Sequence, residues 1–167
     1  VTVNIHFGIA PEYRGQDSFF WSLYLRDYDR IGFTLHEVDA GVDTGPILAR
    51  GFPALSATES EATLWAKCAR MAVGITAELL QQADQQPLNK MPQTSRYRSW
   101  RARDRTMLKE MHFWWRQQVS PRRIPVRHAR IERTYLARPL AQNAQPESQQ
   151  EISDRQNVNR SGFYEIP

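Results

Sequence analysis

Residues 1–6, VTVNIH, residues 31–38, IGFTLHEV, and residues 39–45, DAGVDTG, decide the fold expected for this chain. In the first two segments apolar residues alternate with polar ones, which is the pattern of a β-strand with one apolar face. The third segment has the composition of a loop, because glycine and aspartate favour turns. Residues 46–52 follow as a further strand, with Pro46 at its first position, where the missing N–H costs least.

Helical periodicity predicts helices around these strands. The apolar run at residues 19–25 predicts a first helix, and residues 58–83 predict a long amphipathic one. Thr58 and Glu61 have the spacing of a capping box at the start of that helix. Residues 107–115 predict another helix. Because strands and helices share one short chain, the expected fold class is α/β.

Length and composition predict one soluble domain with additional segments. The chain has 167 residues, of which 41% are hydrophobic, and the single cysteine, Cys68, cannot form an internal disulfide, which fits a reducing cytoplasm. No apolar run reaches the length of a membrane span, and the start lacks the features of a secretory signal. Since the sequence opens with Val1 in a strand-like alternation, we expect that coding sequence upstream is missing.

Positive charge is concentrated in one part of the chain. Residues 91–140 hold 13 Lys and Arg against 3 Asp and Glu, whereas residues 1–90 hold 7 against 11. Such a stretch can face RNA, a nucleotide or a phosphorylated substrate, and it can equally be a solvated face. Aromatic residues interleaved with its arginines could stack on bases or could pack within a helix. Residues 141–167 are polar and predict a disordered tail.

Three side chains could form a catalytic group. Asn4 and His6 lie at i and i+2 of the first strand, so they project in parallel about 7 Å apart. Asp43 lies between two glycines in the loop. An amide and an imidazole can stabilise the oxyanion of an acyl transfer, and a nearby carboxylate can accept a proton. An Asn-x-His on a strand can also be an ordinary polar face.

Three blocks of sequence resemble the formyltransferase family over roughly residues 1–85. The blocks are residues 4–15, NIHFGIAPEYRG, residues 32–36, GFTLH, and residues 39–47, DAGVDTGPI, in the order and spacing of that family. The resemblance implies a fold that is the second half of a Rossmann-like formyltransferase domain at 1–90. We expect a basic, partly helical extension at 91–140 and the disordered tail at 141–167.

The resemblance also implies the roles of particular residues. The catalytic triad would be Asn4, His6 and Asp43. The loop would hold the pterin of 10-formyltetrahydrofolate by backbone contacts of Asp39, Ala40, Gly41, Val42 and Asp43. The loop near the acceptor would contain Tyr13, Arg14 and Gly15. No metal is implied.

The resemblance implies transfer of a formyl group to an amine, with a small-molecule acceptor such as an amino sugar. Two alternatives stay open: hydrolysis of 10-formyltetrahydrofolate, and a non-catalytic module that binds RNA or a nucleotide. The family's first half domain has no counterpart in this chain. Phe7-Gly8 replaces the Pro-Ser usual in the tRNA-acting branch, which disfavours nucleic acid as a partner, although the basic residues 91–140 keep it possible.

The remaining candidates have simpler interpretations. His36 is expected to be structural, or to support the pocket from a position near it. His112 and His128 lie far from any acidic cluster or metal-like spacing, so neither is predicted as a ligand. Cys68 lies on the apolar face of the long helix, where core packing is expected.

Overall fold

The computed structural model describes residues 2–94, 97–119 and 123–136. The predicted disordered tail, residues 141–167, lies outside the described residues. Within the described ranges, no helix is long and apolar enough to cross a membrane. No cluster of three or more His, Cys, Asp or Glu side chains that could hold a metal ion occurs in those same ranges.

Four antiparallel strands form the main sheet. They are β1 (Val3–His6), β3 (Phe33–Glu37), β4 (Ile47–Phe52) and β6 (Arg130–Arg133), and their order in the sheet is β1-β3-β4-β6. Strands β2 (Arg14–Gly15) and β5 (Ser99–Trp100) form a separate two-stranded sheet. The first three strands of the main sheet fall within the three segments predicted as strands, residues 1–6, 31–38 and 46–52. Strand β6 was not predicted, because its sequence RIER has a single apolar residue among charged ones.

Three α-helices lie where periodicity predicted helices. Helix α1 spans Ser18–Tyr24, α2 spans Glu61–Gln85 and α3 spans Met107–Val119. Helix α2 is amphipathic, as predicted, and one face packs on strands β3 and β4. The buried residues of that face are Leu64, Cys68, Ala72, Ile75 and Leu79. Burial raises the pKa of the Cys68 thiol to about 12, which agrees with a packing role for this cysteine.

The capping box of α2 lies two residues after the predicted position. Ser60 is the N-cap, and its hydroxyl accepts a hydrogen bond from the Thr63 backbone N–H at 3.1 Å. The Thr63 hydroxyl in turn accepts from the Ser60 N–H at 2.9 Å. The prediction at Thr58 and Glu61 was therefore wrong, because Ser60 supplies the same reciprocal pair closer to the helix.

Residues 123–136 return to the sheet. Ile124 and Tyr135 join the hydrophobic core that α2 and the sheet share. The guanidinium of Arg127 donates to the Ile31 carbonyl at 2.6 Å, and the backbone of Arg127 forms an antiparallel β-bridge with Leu55. The C-terminal part of the basic stretch thus contributes both a strand and buried side chains to the same core.

Candidate active site

One face of the β1–β3 ladder carries a block of four polar side chains. Asn4 pairs with His36 and His6 pairs with Thr34 across the two antiparallel strands. Side chains directly opposite each other point to the same face, so the four residues form two adjacent rows. The other face carries apolar residues that belong to or pack on the core, namely Val3, Ile5, Phe33 and Leu35.

Asp43 completes the cluster from the loop between β3 and β4. Its Oδ1 accepts from the Asn4 amide at 3.2 Å and lies 3.3 Å from His36 Nε2. Its Oδ2 lies 3.3 Å from His6 Nδ1 and accepts from the Gly15 backbone N–H at 2.9 Å. Asp43 adopts a left-handed backbone with φ of 52°, a conformation that aspartate tolerates better than most residues.

The environment keeps Asp43 ionised. Partial burial raises the pKa of this carboxyl, but the hydrogen bond with His36, the Gly15 N–H and the charge of His36 outweigh burial and hold the pKa below its ordinary value. The structure therefore brings the side chains of Asn4 and His6 to the Asp43 carboxylate, an arrangement that the sequence analysis predicted to be possible.

His36 is a full member of this cluster. Its Nδ1 lies 2.8 Å from the Glu37 carbonyl oxygen and donates to it, which leaves Nε2 between Asn4 and Asp43. Burial opposes the imidazolium, but the hydrogen bonds with Asp43 and the Glu37 carbonyl raise the pKa of His36 above its ordinary value. Sequence analysis placed His36 only near the pocket; its alternation with Thr34 was the available signal.

His6 is held differently. Its Nε2 lies 2.6 Å from the Tyr13 carbonyl oxygen and donates to it. Burial lowers the pKa of His6, and the opposing charge of Asp43 does not overcome this effect. His6 is thus the neutral histidine of the pair, and its Nε2 hydrogen is engaged by the protein backbone.

The loop of Asp39, Ala40, Gly41 and Val42 is exposed beside this cluster. Asp39 Oδ1 accepts from the Gly41 N–H at 3.1 Å and from the Thr44 hydroxyl at 2.6 Å, so an Asx turn shapes the loop. Gln93 donates to the carbonyls of Asp43 at 2.9 Å and Gly45 at 2.6 Å. Sequence analysis missed Gln93, because no local pattern marks a glutamine that binds a distant loop.

The predicted acceptor loop presents its backbone to the cluster. The side chain of Tyr13 is buried and its hydroxyl donates to Asp27 at 3.0 Å, whereas its carbonyl faces His6. Gly15 donates to Asp43 as described above. Arg14 is 5% exposed, and its guanidinium donates to the Tyr97 carbonyl.

A second, two-stranded sheet fixes that loop. Strand β2 (Arg14–Gly15) pairs in parallel with β5 (Ser99–Trp100), and the Gln16 N–H donates to the Trp100 carbonyl at 3.0 Å. Gly15 has φ of +90°, and a Cβ built on it would lie 2.1 Å from the Trp100 carbonyl oxygen. Only glycine tolerates both the positive φ and the close approach of the Trp100 carbonyl, so the contact with β5 requires glycine at position 15.

Two aromatic residues of the basic stretch, Trp100 and Phe113, pack on α1, whereas Tyr97, Trp114 and Trp115 are exposed. Trp100 stacks on Trp21 with centroids 4.2 Å apart, and Phe113 meets Phe20 edge-on at 5.3 Å. His112 Nδ1 lies 3.1 Å from the Tyr24 hydroxyl.

Several arginines of the basic stretch are paired with acidic residues. Arg105 bonds to Asp17 and Glu61 at 3.0 Å each, and also to Glu110. Arg98 pairs with Asp104 at 2.6 Å, and Arg133 pairs with Glu78 at 2.8 Å. The local positive charge is therefore partly neutralised within the described residues.

The family comparison covers the segment that carries the polar block and the Asp43 loop. The family model for formyl transferase matches residues 1–80. Residues 1–80 are therefore similar to the formyl transferase family. The matched segment contains Asn4, His6, His36 and Asp43, while Gln93 and β5 lie beyond it.

Curated relatives are methionyl-tRNA formyltransferases. The protein from Thermosynechococcus vestitus is 34% identical over 83 residues, which are 50% of this chain and 25% of that protein. The protein from Myxococcus xanthus is 32% identical over 93 residues, which are 56% of this chain and 30% of that protein. The matched part of this chain thus spans less than a third of the length of these relatives.

Solved structures of formyltransferases share the fold. The formyltransferase PseJ from Anoxybacillus kamchatkensis, in complex with UDP-4,6-dideoxy-4-formamido-L-AltNAc and tetrahydrofolate, aligns with a TM-score of 0.57 at 20% identity, covering 73% of this chain and 61% of that chain. A 4-N formyltransferase from Francisella tularensis aligns with a TM-score of 0.56 at 20% identity, covering 66% of this chain and 50% of that chain. The α/β fold is therefore that of the Rossmann-like formyltransferases.

Proposed function

We propose that this chain carries catalytic residues of a folate-dependent formyltransferase, which moves a formyl group from 10-formyltetrahydrofolate to an amine. The observation that supports this most is the ionised Asp43 beside Asn4, His6 and His36, on a segment of the formyl transferase family. The cluster combines neutral N–H donors with a base, and formyl transfer requires both.

Asp43 acts as the base in this proposal. An amine must lose a proton as its nitrogen bonds to the formyl carbon, and the half-buried carboxylate accepts that proton directly or through a water. The same proton then passes to the folate nitrogen as its bond to the formyl carbon breaks. No net charge or atom is lost, because the acceptor gains the formyl group that tetrahydrofolate gives up.

Asn4 and His6 stabilise the negative charge that builds on the formyl oxygen. Both are bonded to protein acceptors, His6 to the Tyr13 carbonyl at 2.6 Å and Asn4 to Asp43 at 3.2 Å. In the proposal these N–H groups exchange their protein partners for the formyl oxygen, since catalytic hydrogen bonds often tighten only on the substrate. His36 keeps Asp43 charged and oriented throughout.

The residues around the cluster suit a flat cosubstrate. Asp39, Ala40, Gly41 and Val42 form an exposed loop held by the Asx turn and by Gln93. We propose that this loop contacts the pterin through its backbone. 10-formyltetrahydrofolate supplies the formyl group and the leaving nitrogen.

Release of tetrahydrofolate from 10-formyltetrahydrofolate tests the proposal. The assay runs with and without a pool of amino sugars, ribonucleotide amines and aminoacyl-tRNA. We expect acceptor-dependent release, and we expect His6→Ala and Asp43→Asn to reduce it by at least about two orders of magnitude, as for loss of an oxyanion donor or a general base. Asp84→Asn, the same change at an exposed position of α2, is the matched control and should keep full activity.

Other outcomes select the alternatives. Release that needs no acceptor identifies a hydrolase that uses the same residues. No release, together with RNA binding that weakens with salt and survives Asp43→Asn, identifies a binding module, because phosphate contacts release counterions. Near-normal turnover in both His6→Ala and Asp43→Asn contradicts the proposed roles.

A further inference from the structure

Helix α3 has the reverse of the usual arrangement of polar and apolar faces. A surface helix normally packs its apolar face on the core and turns its charged face to water. The half-buried side of α3 contributes Phe113 to the aromatic cluster, but its other members are the charged residues Lys109, Glu110 and Arg116. The apolar residues of the opposite side are each more than half exposed: Met107, Leu108, Met111, Trp114, Trp115 and Val119.

The six exposed apolar side chains form one continuous face of the helix. At the α-helical repeat they fall within an arc of about 140°, and the only polar residue in that arc is Gln118. Six large side chains along a helix about 20 Å long make an apolar patch on the order of several hundred Å². A patch of this size marks a surface that binds another molecule.

Contacts with α1 hold the apolar face of α3 outward. The ring of Phe113 meets that of Phe20 edge-on, with centroids 5.3 Å apart. The guanidinium of Arg116 donates to the Tyr24 carbonyl at 3.3 Å. A rotation of α3 that buried its apolar face would break both contacts, so the outward orientation of that face is part of the fold.

Positive charge lies next to the first turn of α3. Arg98, Arg101 and Arg103 line an open depression of about 350 Å³, and Asp104 is its one acidic lining residue. The Lys109 ammonium of α3 donates to the Asp104 carbonyl at 2.7 Å, which joins the helix to this depression. The Asp104 carboxylate pairs with Arg98 at 2.6 Å. Among the described residues, the exposed Arg101 and Arg103 have no carboxylate within ion-pair distance.

We propose that α3 binds the surface of an anionic lipid bilayer. Its apolar face enters the boundary between headgroups and acyl chains, and Arg101 and Arg103 contact the lipid phosphates. An interfacial helix combines an apolar face that carries tryptophan with neighbouring basic residues, as α3 does. At about 20 Å it is shorter than the hydrocarbon core of about 30 Å, so it lies in the plane of the bilayer and does not span it. The proposal is independent of the proposed function, because it involves no residue of the Asp43 cluster.

Other partners fit the same surface less well. A second copy of this chain could cover the apolar face, but with a formal net charge of +4 it would repel Arg101 and Arg103 where anionic lipids neutralise them. Nucleic acid would contact the arginines, but Leu108 and Val119 offer no ring on which a base can stack. An anionic bilayer satisfies the apolar face and the arginines together.

Cosedimentation of the 167-residue protein with lipid vesicles tests the proposal. We expect binding to vesicles of phosphatidylglycerol and phosphatidylcholine in equal parts, and at least about tenfold weaker binding to phosphatidylcholine alone. Leu108→Ser should weaken binding to the mixed vesicles about tenfold, because its side chain no longer enters the bilayer. Leu80→Ser makes the same change at an exposed leucine of α2 and should leave binding unchanged. Circular dichroism checks that both variants fold.

The charges are tested by a second pair of variants. Arg103→Gln should weaken binding to the mixed vesicles about fivefold, because each basic residue near an anionic surface adds to the attraction. Arg70→Gln removes the same charge from an exposed position of α2 and should have no effect. Equal weakening by the two arginine variants, or by the two leucine variants, overturns the proposal, since binding would then not depend on α3.

Tryptophan fluorescence identifies the face that meets the lipid. Lipids with brominated acyl chains should quench the emission of the wild type, and the double variant Trp114→Phe with Trp115→Phe should bind equally well and lose most of that quenching. Absence of binding to the mixed vesicles refutes the proposal. A dimer that Leu108→Ser dissociates, or RNA binding that it abolishes, would in that case assign the apolar face to the other partner.

Discussion

The two buried histidines of the cluster respond to pH in opposite directions. The pKa of His36 is raised in the folded protein, so its contribution to stability is complete below the ordinary value of 6.5 and is lost as pH rises through the raised pKa. The pKa of His6 is lowered, so the unfolded chain binds more protons below 6.5 and stability rises as pH approaches that value. The combined contribution of the two histidines to the free energy of unfolding is therefore greatest near pH 6.5.

We expect single variants to separate these two effects. His36→Gln should flatten the decline in unfolding free energy above pH 6.5, and His6→Gln should flatten the rise below it. Chemical denaturation between pH 5 and pH 9 measures both. His128→Gln, at an exposed position, is the control and should follow the wild-type profile. A decline above pH 6.5 that persists in His36→Gln contradicts the role given to His36.

At this scale the sequence predicted part of the site. Alternation placed Asn4 and His6 on one face, and the glycine-flanked loop marked Asp43. Alternation cannot supply the register that sets Asn4 opposite His36, because that pairing joins segments 32 residues apart. Alternation also carries no information about the loop that brings the Tyr13 carbonyl to Nε2 of His6.

At the scale of elements, the short β2–β5 ladder has more influence on the site than its length suggests. Two residues from each strand fix Gly15, whose N–H orients Asp43. The three helices and strands β1 and β3 were predicted because each has several residues of clear periodicity, and β4 was predicted from its position after the loop with Pro46 at its start. A two-residue strand is too short to show a period, and the charged residues of β6 hide the alternation that would have predicted it.

A pair of glycine substitutions tests the ladder. Gly15→Ala should destabilise the protein by about 1–3 kcal/mol from the strained φ alone, with a further cost from the clash with the Trp100 carbonyl. Gly74→Ala should stabilise it by about 0.5–1 kcal/mol, since Gly74 lies in α2 with nothing within 4 Å of an added Cβ. Urea denaturation compares the two. Equal effects would show that the ladder does not constrain Gly15.

At the scale of the whole molecule, the last strand of the main sheet, β6, comes from residues that are distant in sequence from the other three strands. Strand β6 covers the edge of β4, and Ile124 and Tyr135 add to the core beneath it. Composition marked this region only as basic, because a count of charges cannot show which residues pair with a strand. The expected N-terminal half domain and the division at residue 90 stay predictions.

Truncation separates the sheet-forming residues from the tail. A chain ending at residue 122 lacks β6 and also lacks the buried Ile124 and Tyr135. Burial of each of these two side chains stabilises the fold by about 1.5–3 kcal/mol. We expect it to lose cooperative thermal unfolding. A chain ending at residue 140 keeps all of these residues and should unfold like the full chain, as the polar composition of 141–167 predicts. Circular dichroism follows both melts, and a cooperative transition in the shorter chain contradicts the prediction.

The position of β6 in the sequence also determines when the main sheet can be completed during synthesis. The ribosome makes β4 by residue 52, whereas β6 begins only at residue 130. Met91 pairs with Ile47 at the start of β4, but Ala49–Phe52 gain their partners on that edge only when β6 is made. Such edges attract other chains. We therefore expect newly made molecules to associate with other chains most readily before the last strand is made.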